Sequence, residues 1–177
     1  MKKRAGDVTL FSERKIAVRV KKLAREIAAH PLKPDLAVPV LVGAFVFAAD
    51  LLRALTREGL DLETEFIWLR SYGHNEKPEN IMVLKAPTDI TRGRTVLLID
   101  GVLQSGGTLA RARDLLFERG AAAIISVVAV AKPQDAAAAK ADFVGFHAGP
   151  EFLFGYGMDR AGHARGLPDI RIKKEKI

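Results

Sequence analysis

Asp100, the hydroxyls of Ser105 and Thr108, and the glycines Gly106 and Gly107 between them are the residues of this 177-residue chain whose types and spacing point to chemistry. They follow the apolar run Val96-Leu97-Leu98-Ile99 and precede Leu109, Ala112, Leu115 and Leu116, which recur at helical spacing. The pattern predicts a buried parallel strand that stops at the acid, then a short loop, then a helix over about Thr108 to Arg119. Such a loop brings backbone N–H groups together at a helix N-terminus, where a phosphate is held by hydrogen bonds and by the helix dipole. Strand, Gly-rich turn and helix also recur throughout doubly wound α/β proteins, so this segment alone identifies an anion cradle and no particular reaction. His30, His74, His147 and His163 are scattered without metal-ligand spacing.

Several further elements must position that loop. Ser12 is placed to cap a helix whose apolar residues Ile16, Val20, Leu23, Ala24 and Ile27 keep the helical period up to Pro31. Leu36 to Leu41 reads as a strand, at an edge or irregular because Pro39 cannot donate to a ladder. Gly43 turns the chain into a second helix, about Phe45 to Arg57, with Ala48, Leu51, Leu52 and Leu55 inward. Glu65 to Ser71 and Ile81 to Leu84 read as strands flanking a loop, Tyr72 to Asn80, that holds Gly, Asn and Pro. Strands at about Ala123 to Val130 and Asp142 to Phe146 follow, with the alanine run 136–139 between them as a short helix. From Gly149 onward the mixture of Gly, Pro and aromatics reads as a small irregular cap. Alternating strands and helices without a linker or repeat predict one α/β domain over 1–177, a twisted parallel sheet with helices on both faces, and ligands at the carboxyl ends of the strands.

Composition narrows the function classes. With 49% hydrophobic and 28% charged residues the chain has a globular composition, and with no cysteine it has neither a disulfide nor a thiol nucleophile nor thiolate-bound zinc. Its longest uncharged stretch, Leu36 to Ala49, is too short to span a bilayer and is interrupted by Pro39 and Gly43. The basic start Met1-Lys2-Lys3-Arg4 is followed by Ala5-Gly6-Asp7 and no apolar segment, which argues against a secretory signal and for the cytoplasm. Most of the net charge of +7 sits at the two ends, in Lys2, Lys3, Arg4, Lys173, Lys174 and Lys176. That distribution describes solvated tails and not a nucleic-acid surface.

The sequence Asp100-Gly101-Val102-Leu103-Gln104-Ser105-Gly106-Gly107-Thr108 resembles the ribose-phosphate motif of type I phosphoribosyltransferases, in which apolar residues precede two acids, two apolar residues, a variable position, Thr or Ser, Gly, any residue and Thr. Gly101 stands at the second acid. The likeness narrows to the hypoxanthine-guanine branch through Leu41-Val42-Gly43 and the helix after it, Ser71-Tyr72-Gly73, Lys132-Pro133, and Phe152-Leu153-Phe154-Gly155-Tyr156-Gly157-Met158-Asp159 with Arg165. It implies the type I fold with a small hood made by the terminal segments. It also implies binding of pyrophosphate at Val42, Gly43 and Arg165, with Val42 in place of a common Lys and a peptide to Gly43 that can be cis. Further implied are a lid beginning at Ser71 and Tyr72, a base site of Lys132, Phe152 and Leu153, and magnesium at Asp100 and Asp159.

The chemistry implied is transfer of ribose 5-phosphate from phosphoribosyl pyrophosphate to a purine such as hypoxanthine or guanine, by a homodimer or homotetramer. Asp100 and Gln104 would stand at the reacting centre and Ser105, Gly106, Gly107 and Thr108 on the 5′-phosphate. In the branch an Asp occupies the variable position and exchanges a proton near N7 of the purine; Gln104 only donates or accepts hydrogen bonds, and such a group contributes about 10²- to 10⁴-fold. Val42, Gly101 and Gln104 therefore leave two other readings open: a non-catalytic binder of phosphoribosyl pyrophosphate or a nucleotide, and a related enzyme for another nucleophile.

Overall fold

The structure, a computed structural model, describes residues 7–71, 81–133 and 138–173. Two sheets organise it. The larger runs in the order β5 (Ile81–Lys85), β4 (Ile67–Ser71), β2 (Leu36–Leu41), β6 (Thr95–Leu103), β7 (Ala123–Ala131) and β8 (Phe143–His147), with β3 (Glu63–Thr64) also paired to β2. All its pairings are parallel except β4 with β5. The smaller sheet is antiparallel, β1 (Asp7–Phe11) beside β10 (Ile170–Lys173) beside β9 (Leu153–Phe154), and forms the hood.

The period-two alternation of β2, β6 and β7 sorts the core into two layers. Ala37, Leu97, Ile99, Ile125, Val127 and Ala129 face α1 (Glu13–Ala28) and α2 (Phe45–Arg57). Leu36, Val38, Val40, Val96, Leu98 and Val128 face the other way, against Leu109, Ala112, Leu115 and Leu116 of α3 (Gly107–Glu118). Strands covered on both faces read as continuous apolar runs, which is why β6 and β7 were legible. Ser12 caps α1 by accepting from the Lys15 N–H, and the five apolar residues expected to face inward are its buried ones. Because the chain leaves β2 toward one face and β6 toward the other, the connections after the two strands diverge and open a crevice at their carboxyl ends.

Five expectations need correction. β2 is a central strand despite Pro39. The Ala37 carbonyl accepts from the Glu65 N–H at 3.0 Å, so Pro39, two residues on, faces the same side, where β3 has ended and β4 has not begun. The missing donor falls in that gap, and Glu65, expected to start a strand, instead accepts from the Thr88 N–H and from Lys85 with its buried carboxylate. β6 does not stop at Asp100: β7 is equally long, pairing continues to Leu103 with Ala131, and the loop shortens accordingly. Ala138 and Ala139 are not helical, because the Ala138 N–H is bound to the Ser105 carbonyl; 136 and 137 lie outside the described residues, as does the loop 72–80. The segment after Gly149 contains two strands, paired in part with β1, which no local pattern announced.

Polar contacts fasten the hood. Asp169 accepts from Thr9 Oγ1 at 2.9 Å and from Arg171 Nε at 2.9 Å, and Arg160 pairs with Asp7 at 2.8 Å while lying over the Phe154 ring. Burial alone would raise the Asp169 pKa, but hydrogen bonds from Arg171 and Thr9 outweigh it and hold the carboxyl below the ordinary range. A depressed carboxylate stabilises the fold above its unfolded pKa of about 3.9 and loses that contribution as pH falls through the lower folded value. Asp169→Asn is expected to lower stability at neutral pH by about 1–3 kcal/mol. Thermal denaturation of both proteins between about pH 6 and pH 2 should show the difference shrinking toward the acid end.

Candidate functional site

The carboxyl ends of β2, β6 and β7 and one edge of the hood enclose a cleft of about 780 Å³. From the end of β2 come Val42 and Gly43; from β6 come Asp100 and Gly101, with Gln104 just beyond it. Thr108 enters from the first turn of α3, Lys132 follows β7, and the hood contributes Phe152, Leu153, Asp159 and Arg165. Residues separated by more than a hundred positions thus share one wall. Ser105, Gly106 and Gly107 form the turn that leads to Thr108, and Ser71 ends β4, while Tyr72 lies outside the described residues. Trp68, Arg70, Met158 and Ala161 also line the cleft and were not foreseen. Trp68, the chain's single tryptophan, is substantially exposed near the start of β4, beside Leu41 at the end of β2; its being the chain's one tryptophan is the signal sequence offered.

The turn expected to cradle an anion has a specific backbone. Gly106 caps α3 with φ +78°, a left-handed conformation that favours glycine, and a Cβ there would lie 2.6 Å from the Ala139 nitrogen. The Ser105 hydroxyl accepts from the Gly107 N–H at 3.3 Å, and the Ser105 carbonyl accepts from Ala138. The turn is held from both sides while the start of α3 faces the cleft. At the acid, Asp100 is buried in β6 and accepts from the Gly101 N–H at 2.7 Å.

Opposite, Asp159 pairs with Arg165 at 2.8 Å and also accepts from the Gly162 N–H at 2.9 Å, so the hood offers a neutralised pair of opposite charges. Arg165 donates in addition to the Gly157 carbonyl at 2.8 Å, and the Gly157 N–H returns a bond to the Arg165 carbonyl at 2.8 Å. The Lys132 ammonium donates to Gln104 Oε1 at 3.2 Å, and the Lys132 N–H is tied to the Leu103 carbonyl at 2.9 Å. Phe152 is 57% exposed, an apolar ring presented to the cleft and not packed in the core.

Gly101 has a steric explanation. A Cβ at 101 would stand 2.9 Å from the Gly43 carbonyl oxygen and 3.1 Å from its carbon. Gly157, at φ +98°, crowds the same oxygen from the hood, its Cβ falling at 2.5 Å. An aspartate introduced at 101 would meet that carbonyl as well, so the acid missing from the motif cannot be returned without moving the β2–α2 turn. The cis peptide lies one bond earlier than the resemblance implied, between Leu41 and Val42. A cis bond between two non-proline residues leaves no mark in residue type, so sequence does not locate it.

Gly101→Ala is expected to cost about 1–3 kcal/mol through overpacking. Gly43→Ala, whose Cβ would meet nothing within 4 Å, should stay within about 0.5 kcal/mol of the parent. Chemical denaturation of the two variants tests the contrast; equal losses would remove the steric explanation.

Residues 9–160 match the phosphoribosyl transferase domain family. The chain is 34% identical over 180 residues to the hypoxanthine-guanine phosphoribosyltransferase of Bacillus subtilis (strain 168), with 100% of this chain and 98% of that protein covered. It is 35% identical over 171 residues to the bifunctional protein TilS/HprT of Listeria innocua, covering 95% of this chain and 26% of that protein, so it spans about a quarter of that relative's length. The solved hypoxanthine phosphoribosyltransferase from Trypanosoma cruzi, in complex with the product IMP, superposes with a TM-score of 0.85 at 28% identity over 98% of each chain.

Proposed function

The chain belongs to the phosphoribosyltransferase family, in its hypoxanthine-guanine branch, and from that premise we propose that it transfers ribose 5-phosphate from phosphoribosyl pyrophosphate to a 6-oxopurine and releases pyrophosphate. The observation that carries this reading is the convergence of Asp100, Gln104, Thr108, Lys132, Phe152, Asp159 and Arg165, from four separate parts of the chain, on one cleft. The full-length similarity favours the enzyme over a non-catalytic binder.

Each residue has a physical part in that reaction. The N–H groups of the Ser105–Thr108 turn and the start of α3 hold the 5′-phosphate, and this remote binding energy orients the reacting carbon. Arg165, already aimed at the Gly157 backbone, and the Val42-Gly43 turn receive the pyrophosphate. Phe152 stacks on the base, Leu153 offers backbone groups to its edge, and the Lys132 ammonium donates to its exocyclic oxygen. An exocyclic amino group would meet that ammonium donor to donor, which disfavours adenine.

Among the described residues no three His, Cys, Asp or Glu side chains cluster as metal ligands. Two carboxylates that rely on the substrate's own phosphates and on water are nonetheless the donor set that suits magnesium, and Asp100 and Asp159 would hold it. When bound, the ion neutralises charge that develops on the departing pyrophosphate. Asp159 is satisfied by Arg165 and Gly162, contacts it would give up to hold the ion. By the family resemblance Ser71, followed by Tyr72 outside the described residues, would begin a lid that excludes water. The chain 1–177 acts as one domain, in the cytoplasm, as a homodimer or homotetramer. No helix among the described residues is long and apolar enough to cross a membrane.

Purified protein supplied with phosphoribosyl pyrophosphate, magnesium and, in parallel, hypoxanthine, guanine, xanthine and adenine should convert at least one 6-oxopurine and spare adenine, with loss of activity on chelation. Asp100→Asn is expected to lower kcat/KM by about 10²- to 10³-fold. Binding of phosphoribosyl pyrophosphate with no conversion of any base would return the protein to the class of non-catalytic binders.

A further inference from the structure

The hood turn 155–158, closed by hydrogen bonds exchanged between Gly155 and Met158 at 2.9 and 3.0 Å, meets the β2–α2 region at two points. At the first, Gly157 closes on the Gly43 carbonyl oxygen, where a Cβ would fall at 2.5 Å. At the second, the Tyr156 hydroxyl donates to Asp50 Oδ2 at 2.8 Å. Asp50 stands in the second turn of α2, the helix that follows Val42 and Gly43. One point of contact fixes a separation and leaves the hood free to rotate about it; a second, directed contact fixes the angle as well. Tyr156 is held firmly enough to supply it: the residue is 4% exposed, its ring lies beside that of Phe47, and its N–H donates to the Leu167 carbonyl at 2.9 Å. Neither Tyr156 nor Asp50 is among the residues lining the cleft; both face a separate cavity of about 450 Å³ bounded by α1, α2 and the segment 166–168.

We infer that Tyr156, through its bond to Asp50, is a positioning residue for pyrophosphate: it sets the angle at which Arg165 of the hood faces the Val42-Gly43 turn. This rests on the pyrophosphate-binding reading given above and deepens it. Arg165 belongs to the same piece of chain as Tyr156. Its guanidinium donates to the Gly157 carbonyl and its carbonyl accepts from the Gly157 N–H, each at 2.8 Å, so the angle taken by Tyr156 is passed to Arg165.

The rest of the cleft is anchored elsewhere. Leu153 and Phe154, beside Phe152, pair with Ile172 and Arg171 of β10, while Gln104 and Lys132 follow β6 and β7 in the main sheet. The Ser105–Thr108 turn is fixed by its own bonds and by α3. Without the Tyr156–Asp50 bond the protein spends part of its time with Arg165 turned from the Val42-Gly43 turn, and affinity for a pyrophosphate-bearing ligand falls by the fraction left competent. The net worth of one hydrogen bond shifts such an equilibrium by about 3- to 10-fold. Ligands that use only the 5′-phosphate turn and the base wall keep their affinity.

The test sets two ligands against each other by calorimetric titration of the full chain with magnesium. Phosphoribosyl pyrophosphate carries the 5′-phosphate and the pyrophosphate; IMP carries the 5′-phosphate and the base, without pyrophosphate. Tyr156→Phe, which keeps the ring and removes the donor, should weaken phosphoribosyl pyrophosphate by about 3- to 10-fold and leave IMP within about 2-fold. Asp50→Ala should do the same, and the double variant should lose no more than the larger single loss, because both changes remove one bond. Asp50→Asn, which keeps an acceptor for the hydroxyl, and Arg53→Ala, which removes the other partner of Asp50, should both stay within about 2-fold of the parent. In turnover, KM for phosphoribosyl pyrophosphate should rise by the same factor while kcat and KM for hypoxanthine hold within about 2-fold. Tyr156→Phe preserves the packing of the ring, so the test stands even if Asp50→Ala folds poorly. Equal weakening of both ligands, undiminished affinity for phosphoribosyl pyrophosphate, or additive losses in the double variant overturns the role of Tyr156 and leaves the transferase reading intact. A parent that binds phosphoribosyl pyrophosphate and converts no base overturns the transferase reading, and the titrations then decide the role of Tyr156 by themselves. A parent that does not bind phosphoribosyl pyrophosphate overturns both.

Discussion

Around the Gly43 carbonyl the backbone approaches itself more closely than side chains permit. Gly101 in β6 and Gly157 in the hood each bring a Cα to that oxygen at a distance where a Cβ would clash. Three parts of the chain, the turn after β2, the strand β6 and the C-terminal segment, are thereby set relative to one another by excluded volume, the hardest interaction available in a protein interior. The cleft inherits its shape from this contact. Asp100 is adjacent to Gly101, Arg165 is bonded in both directions to Gly157, and Gly43 itself lines the wall, so Asp100, the hood arginine and the turn are fixed relative to one another.

The hood is a second consequence. A three-stranded antiparallel sheet of short strands is marginal by itself and needs a surface to pack on. Leu153, Tyr156, Met158 and Ile170 supply that packing by joining the core on the α1–α2 side. Tyr156, held at φ +50°, donates its hydroxyl to Asp50 of α2 at 2.8 Å, and burial followed by the Asp50 hydrogen bond raises its pKa far above the ordinary tyrosine value. It stays a neutral donor under any ordinary condition. The helix that starts at the Val42-Gly43 turn is thus pinned at its middle by the hood, while the turn is pinned at its start by two glycines.

Set in this frame, the departures from the family motif read as substitutions of kind. Where the family places a carboxylate at 101, this chain places close backbone packing. Where the branch places a proton-exchanging acid, this chain places Gln104, whose Oε1 accepts from the Lys132 ammonium. Neither change displaces Asp100, Thr108, Phe152 or Arg165 from the cleft, where the proposed reaction needs them.

Much of the scaffold was legible because its causes are local. Apolar periodicity and the Ser12 cap define α1, the uninterrupted runs define β6 and β7, and the order of small and hydroxyl residues from Ser105 to Thr108 defines a tight turn into α3. Local cues failed where the partner is distant or where space and not composition decides. β1 and β10 lie some 160 residues apart, and each is too short and too mixed to announce itself without the other. Pro39 looked incompatible with a central strand because nothing local reveals that its missing donor faces a gap between β3 and β4. Residue types and their order determined by themselves the family, the parallel α/β scaffold and the roster of chemical groups. Tertiary structure alone decided that Gly101 is a contact and not a loss, that Gln104 faces its oxygen to Lys132, and that Phe152 stays exposed, since each depends on the distance to residues far away in the chain, which no sequence pattern encodes.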